Sequence, residues 1–263
     1  MSALVKQQTS GGAEIKVFAS KAAAGVAAAE AAAMSLVRAL QERQTARLIV
    51  ATGNSQLETV RSLAQRRNIE WSRVEIFHLD EYAGIPSDHP ASFRRWIKEK
   101  LVDLVHPGKV HYIEGDAANL QDECARYGQL LLAAPIDVCL LGIGENGHLA
   151  FNDPHTADFN DPLVMKLVTL DDVSRRQQVG EGHFPTLGDV PIQALTLTIP
   201  ALMSSRHLVC SVPERRKAEA VRNALQGPIT PQCPASLLRT HRQAGIYLDL
   251  ESASLLDGVT NSA

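Results

Sequence analysis

Short β-branched runs alternate with longer amphipathic stretches along the chain, the pattern of βαβ units feeding a largely parallel sheet. Residues 14–18 read as a strand and 20–44 as a long helix whose alanines permit close packing on a sheet. Residues 47–51 form an apolar strand that Gly53-Asn54-Ser55 turns into a helix over 57–67. The next strand is 74–79, followed by a helix over 92–105 with Phe93, Trp96, Ile97, Leu101 and Leu104 on or near one face. A short strand at 110–113 and a helix at 119–132 lead to 136–142, the most apolar strand, which is expected at the centre with both faces covered. Residues 165–170 have strand character, whereas 171–192 show no clear period. Strands at 195–199, 208–211 and 246–250 alternate with helices at 214–226 and 235–240. No repeat or low-complexity linker divides the chain. The pattern therefore predicts one domain over residues 1–263, an open, mostly parallel, doubly wound (Rossmann-like) α/β sheet with helices on both faces.

Composition narrows the classes of function. With 263 residues, 45% of them hydrophobic, the chain can bury a sizeable core, which excludes disorder. Twenty-six Lys and Arg against 29 Asp and Glu leave no basic excess for a phosphate backbone, so no nucleic acid is expected as partner. The Ala-rich stretch 21–40 is interrupted by Lys21, Glu30 and Arg38, and no segment reaches the roughly 18 apolar residues of a membrane span. The N-terminal MSALVKQQTSGG lacks the apolar core of a signal peptide. Cys124, Cys139, Cys210 and Cys233 form no C-x-x-C pair, which removes the usual zinc and dithiol patterns. These features predict a soluble, reduced, cytoplasmic protein that meets no membrane.

In an open α/β sheet, ligands gather beyond the carboxyl ends of the strands, and three such ends carry chemistry. The first is Thr52-Gly53-Asn54-Ser55, small and polar between an apolar strand and a helix. Backbone amides with the Thr52 or Ser55 hydroxyl suit a phosphate monoester, and a plain N-capped turn is the alternative. The GK[ST] ending of a P-loop is missing. The second end is Asp80-Glu81-Tyr82. Successive strand residues point to opposite faces, so at most one of Asp80 and Glu81 faces a ligand, as a general base, while the other braces the loop. His78 alternates with Asp80 and either lines the site or is structural. The third end is Gly142-Ile143-Gly144-Glu145-Asn146-Gly147-His148, where glycines let the backbone approach a ligand and bring His148 to the mouth of the central strand. Glu145, Asn146 and Asp153 are near enough in sequence to orient or charge that histidine. The Arg94-Arg95 pair reads as a solvated helix face, and His155 with 158–162 as either a lid or a surface loop.

FHLDEYAG, the HPAS that follows it, and GIGENGHLAFNDP resemble the two signature segments of the glucosamine-6-phosphate deaminase (isomerase) family, and the spacing of TGNS, DEY, GHLAFN and Lys217 is similar across nearly the whole chain. The related 6-phosphogluconolactonases share the fold and a similar glycine-rich loop. The resemblance implies an enzyme that opens the ring of glucosamine 6-phosphate, moves a proton between C2 and C1, and releases ammonia to leave fructose 6-phosphate. It implies no metal or organic cofactor, a small amino-sugar phosphate as partner, and self-association into a homo-oligomer. Asp80 matches the family's base and His148 its ring-opening acid, with Asp153, Asn146 and Glu145 around the histidine. Thr52, Gly53, Asn54, Ser55, Glu81, Gly144, Gly147 and Lys217 match substrate- and phosphate-binding positions. The chain departs from the family in three places. Asn146 stands where many members carry Asp, leaving the relay one charge short unless Glu145 turns inward. Asp153 replaces the usual Glu. The second phosphate-binding Arg has no equivalent: Gln178 or Val179 falls there, with Arg175 and Arg176 a turn before and His183 just after. A lactone hydrolase of the 6-phosphogluconolactonase type and a non-catalytic sugar-phosphate-binding protein are the competing readings.

Overall fold

The computed structural model describes residues 4–258; the outermost ends of the expected 1–263 domain, including the first three and last five residues, lie outside it. Eight strands, numbered along the chain, form the main sheet in the order β1 (Leu4–Ser10), β2 (Ala13–Phe18), β11 (Ala244–Asp249), β10 (His207–Val212), β7 (Val138–Leu141), β3 (Ala46–Val50), β4 (Val74–His78) and β6 (Lys109–Val110). Among the described residues of this sheet, only the β1–β2 pairing is antiparallel. As the apolar run predicts, β7 is central and every one of its residues is buried. The chain builds outward from β3 to β4 and β6, then returns to β7 on the other side of β3. The crevice between the carboxyl ends of β3 and β7 is therefore the switch point where a ligand is expected.

Helix α1 (Lys21–Glu42) is long and apolar enough by composition to cross a membrane, but its alanine face lies on the sheet against β10 and β11. Gly25 lets α2 (Leu57–Ala64) approach so closely that a Cβ there would sit 2.5 Å from the Glu58 side chain. The expected helix over 92–105 is broken into α3 (Phe93–Ile97), a π turn at Lys98–Val102 and α4 (Asp103–Val105). Helix α5 (Leu120–Leu132) starts at the Asn119 cap, α7 (Ile199–Met203) is short, and α8 (Ala218–Gln226) follows a 3-10 turn at Arg215–Lys217. Residues 234–240 form a 3-10 turn rather than an α-helix. All four cysteines are free and buried.

Beyond these local differences and the unexpected strand β1, two larger features differ from the pattern-based reading. Strands β8 (Met165–Thr169) and β9 (Gln193–Leu197) do not extend the main sheet. They pair antiparallel with each other, and β9 pairs with β5 (Asp80–Tyr82), to form a second, three-stranded sheet. One stretch of chain leaves the main sheet as β4 and joins the small one as β5, with Leu79 O accepting from Leu197 N at the corner (2.8 Å). The second sheet has its own core, in which the Tyr82 ring lies 4.9–5.3 Å from those of Phe93, Phe151 and Phe184. The second difference is α6 (Asp172–Gly180), capped by Asp171, in the stretch without a readable period. Its buried residues are Ser174 and Gln178, both polar, so it has no apolar stripe to detect.

Candidate active site

An open cleft of about 90 Å³ lies at the switch point. Of the expected site residues, Thr52, Gly53, Ser55, Asp80, Gly144, His148 and Lys217 line it. They follow β3, β4, β7 and β10. Gln177, Gln178, Glu181 and His183, from α6 and the turn after it, close the outer side.

Asp80 and Glu81 are adjacent carboxylates with opposite environments. The Asp80 carboxyl makes no hydrogen bond among the described residues and faces the cleft, and burial, reinforced by the Glu81 charge, raises its pKa well above the ordinary carboxylate range. Glu81 is fully buried and faces away. Ser92 Oγ (2.8 Å) and the backbone amides of Phe93 (3.1 Å) and Arg94 (2.9 Å) donate to it, and the Arg94 guanidinium lies 3.3 Å away. Glu81 is thus the loop brace and not a substrate ligand. Arg94 is correspondingly buried, between Glu81 and Asp116, and not on a solvated face; Arg95 remains exposed. His78 is structural. Its Nε2 accepts from Ile113 N (2.8 Å), so Nδ1 carries the proton and donates to Asp80 O (2.9 Å). Burial holds this imidazole neutral, with a pKa of about 3. A neutral histidine therefore pins the backbone of Asp80.

The His148 ring lies against Gly144, where a Cβ would come within 2.2 Å of the imidazole, so only glycine fits. Asp153 Oδ1 is 3.1 Å from His148 Nδ1, and Ser174 Oγ lies 3.2 Å from Nδ1 while donating to the same carboxylate oxygen. Burial alone would raise the Asp153 pKa, but the His148 contact, helped by Asn146 and Ser174, holds it at about 2. The ionised Asp153 places the Nδ1 proton and leaves Nε2 for a ligand. Asn146 does not line the cleft. Its Nδ2 donates to Asp153 Oδ1 (3.0 Å) and its Oδ1 accepts from His148 N (3.0 Å), so the amide supports the aspartate where a second carboxylate would repel it. Glu145 turns outward to Arg216 (2.9 Å) and does not supply the missing charge. Gly147, at φ +85°, shapes the loop without lining the cleft. Asp153, His155 and Asp171 have ligand atoms within 4.8 Å of one another, but Asp153 is committed to His148 and Asp171 caps α6. His155 and 158–162 do not line the cleft, which fits the surface-loop alternative of the two, and the segment over the cleft is α6.

The other end carries the positive charge. Lys217 is 3% exposed yet forms no ion pair among the described residues, and burial lowers its pKa to about 8 against the opposing charge of Glu181. It sits on a turn whose first residue, Glu214, has φ +85°, a conformation held by Asp249 accepting the Glu214 N–H. Gly53, at φ +94°, makes the turn that exposes Ser55 to the cleft. Asn54 points elsewhere: its Nδ2 donates to Glu181 O (3.2 Å). Neither Arg175 nor Arg176 replaces the missing arginine. Arg175 donates to the Leu187 and Val190 carbonyls, and Arg176 lies beside Asp172 (3.8 Å) in an outer groove. Gln178 accepts from Tyr82 Oη (2.6 Å) at the cleft wall, and His183 faces inward. Ser174, Gln177, Glu181 and His183 have no motif of their own; the Asp171 cap is the one sequence signal that places them.

The family described as glucosamine-6-phosphate isomerases/6-phosphogluconolactonase matches residues 19–247. This chain belongs to that family. It is 36% identical to the glucosamine-6-phosphate deaminase of Exiguobacterium sibiricum over 79% of this chain and 80% of the relative. It is also 36% identical to glucosamine-6-phosphate deaminase 1 of Bacillus subtilis, over 82% of this chain and 90% of the relative. Among solved structures, a monomeric glucosamine-6-phosphate deaminase superposes with TM-score 0.82 at 32% identity, covering 92% of this chain and 99% of the other. A putative 6-phosphogluconolactonase of Neisseria gonorrhoeae matches with TM-score 0.71, covering 89% of this chain and 98% of the other, at 20% identity; it shares the fold. Family members are enzymes, and the isomerase/lactonase architecture accounts for the mostly parallel main sheet.

Proposed function

We propose that this chain converts glucosamine 6-phosphate and water to fructose 6-phosphate and ammonia. The observation that carries the reading is an unpartnered carboxyl, Asp80, sharing one cleft with an imidazole whose Nδ1 is committed and whose other nitrogen is open. His148 Nε2 takes the proton of the C1 hydroxyl and passes it to the ring oxygen as the bond between C1 and the ring oxygen breaks, opening the ring. Asp80 then takes the proton from C2 while the C1 oxygen takes one from the C2 ammonium, forming a cis-enolamine, and Asp80 returns its proton to C1. The resulting C2 imine is hydrolysed by water and releases ammonia. Asp80 must be ionised to act, and the substrate's C2 ammonium supplies the positive neighbour that lowers its pKa on binding. Lys217, Ser55, Thr52 and the backbone at Gly53 receive the phosphate.

The residue roles and the single-domain reading belong to this proposal, as does a cytoplasmic setting, which four free buried thiols support. Self-association is also carried as a proposal, to be read by sedimentation, although the 32%-identical neighbour is described as monomeric. The deciding assay is a panel of amino-sugar and sugar phosphates measured in parallel for ammonia and acid release. Ammonia from glucosamine 6-phosphate is the expected result. Acid from 6-phosphogluconolactone without ammonia would replace this reading with a lactonase, and binding without turnover would make the protein a sugar-phosphate sensor.

A further inference from the structure

The anion end of the cleft already holds an anion. The Glu181 side chain is 9% exposed and reaches back over the β3 turn, where its Oε2 lies 3.8 Å from the position of a Cβ on Gly53. Its Oε1 is 2.9 Å from Arg216 Nη1 and accepts from Gln177 Nε2 (2.9 Å), and its Oε2 is 3.4 Å from His183 Nε2. Burial would raise this carboxyl, but His183, Arg216 and Lys217 together hold it at about 2, so it carries a full charge at neutral pH. A carboxylate thus stands where a family member's phosphate group is expected, among the groups suited to receive that phosphate.

We propose that Glu181 is a resident anion of the phosphate subsite, displaced by the substrate's phosphate, and that this competition sets the enzyme's affinity for phosphate esters. The inference rests on the function proposed above. A phosphate and a carboxylate side by side near one buried ammonium would repel each other. The carboxylate has somewhere to go. Glu181 lines both the cleft and a neighbouring outer groove whose other residues include Arg176 and Arg216, so it can turn outward and keep Arg216 as partner. It is flanked by Gly180 and Gly182, and nothing lies within 4 Å of a Cβ at either, so the turn has room to move. A neutral sugar hydroxyl cannot make the exchange, because it would leave the buried Lys217 ammonium without a counter-charge.

The test is Glu181→Gln in the full-length protein, with inorganic phosphate as probe. Removing the competing charge should tighten phosphate binding about tenfold, read as a lower half-inhibitory concentration and a larger phosphate-induced rise in Tm. KM for glucosamine 6-phosphate should fall by a similar factor while kcat changes less than about threefold, and glucosamine itself should gain nothing in either protein. An unchanged phosphate affinity, or a raised KM, would show that Glu181 does not compete with phosphate and would overturn the proposal. Should the Gln variant fail to fold, Glu181→Asp withdraws the carboxylate from Gly53. Tighter phosphate binding by a smaller factor is expected there, and no change overturns the proposal. If neither protein releases ammonia, the functional reading fails separately, since phosphate-induced stabilisation reports on the subsite without turnover.

Discussion

The two ends of the cleft are built on different principles. At the proton-transfer end, Asp80 and His148 stand on the ends of β4 and β7, and the residues behind them, His78 and Asp153, are locked by hydrogen bonds of 2.8–3.1 Å. The anion end is less tightly tied: Lys217 forms no ion pair among the described residues, and the carboxylate that acts on it most strongly, Glu181, belongs to the turn after α6. Rigid support suits a base that must serve two adjacent carbons, because misplacement of a proton-transfer group by about 1 Å can cost on the order of 100-fold in rate. An adjustable charge suits a group whose task is to attract and release a phosphate. With the roles proposed above, reaction geometry and substrate capture become separable in this molecule.

The sharpest way to break that separation is at the rigid end. Asp80→Asn keeps the shape of the site and removes the base. Turnover should drop roughly 10²- to 10⁴-fold with sugar-phosphate binding, read by thermal shift, retained. Ammonia release undiminished in that variant would end the assignment. At the adjustable end, Lys217→Ala should raise KM about 10- to 100-fold with little change in kcat. The same lysine gives a pH signature. Its folded-state pKa, about 8, lies below the ordinary value of 10.5, so the ammonium loses its proton as pH rises through 8. Phosphate affinity should then fall about fivefold between pH 8 and 9, whereas the folded protein gains stability over that range because the unfolded chain still binds the proton. A flat profile would place the anion elsewhere. The smallest effect is expected where the two ends meet on α6: Ser174→Ala deprives Asp153 of one donor and should lower kcat by about tenfold or less, with KM unmoved. A change in KM instead would couple the ends.

The rigid end was legible in the sequence for a physical reason. Proton-transfer groups sit where strands stop, glycine is compulsory where an imidazole stacks on the backbone, as at Gly144, and such needs leave compact local motifs. The central position of β7 was readable from its unbroken apolarity. Strand alternation made one of Asp80 and Glu81 readable as a brace but not which one, because the donors that satisfy Glu81 come from Ser92, Phe93 and Arg94, beyond an intervening loop. Helix α6 was hidden for another reason. Hydrophobic periodicity reports burial of apolar faces, and this helix buries Ser174 and Gln178 against a polar site. The small sheet was hidden as well: β8 and β9 look like any strand of the main sheet, and only pairing across residues 165–197 reveals them as a separate layer.

That layer bears on how such a protein can diversify. Residues 171–191 leave from β8 and return to β9, whose facing residues Val168 with Ala194 and Thr169 with Gln193 are adjacent partners, and Leu170 N donates to Ile192 O (2.9 Å) just beyond them. The whole excursion that carries Ser174, Gln177, Gln178, Glu181 and His183 is thus a single loop with its two feet together. The outer part of that loop, beyond Ser174, can change in length and composition without shifting a strand of the scaffold, which lets ligand preference drift as long as the Ser174 contact with Asp153 is kept.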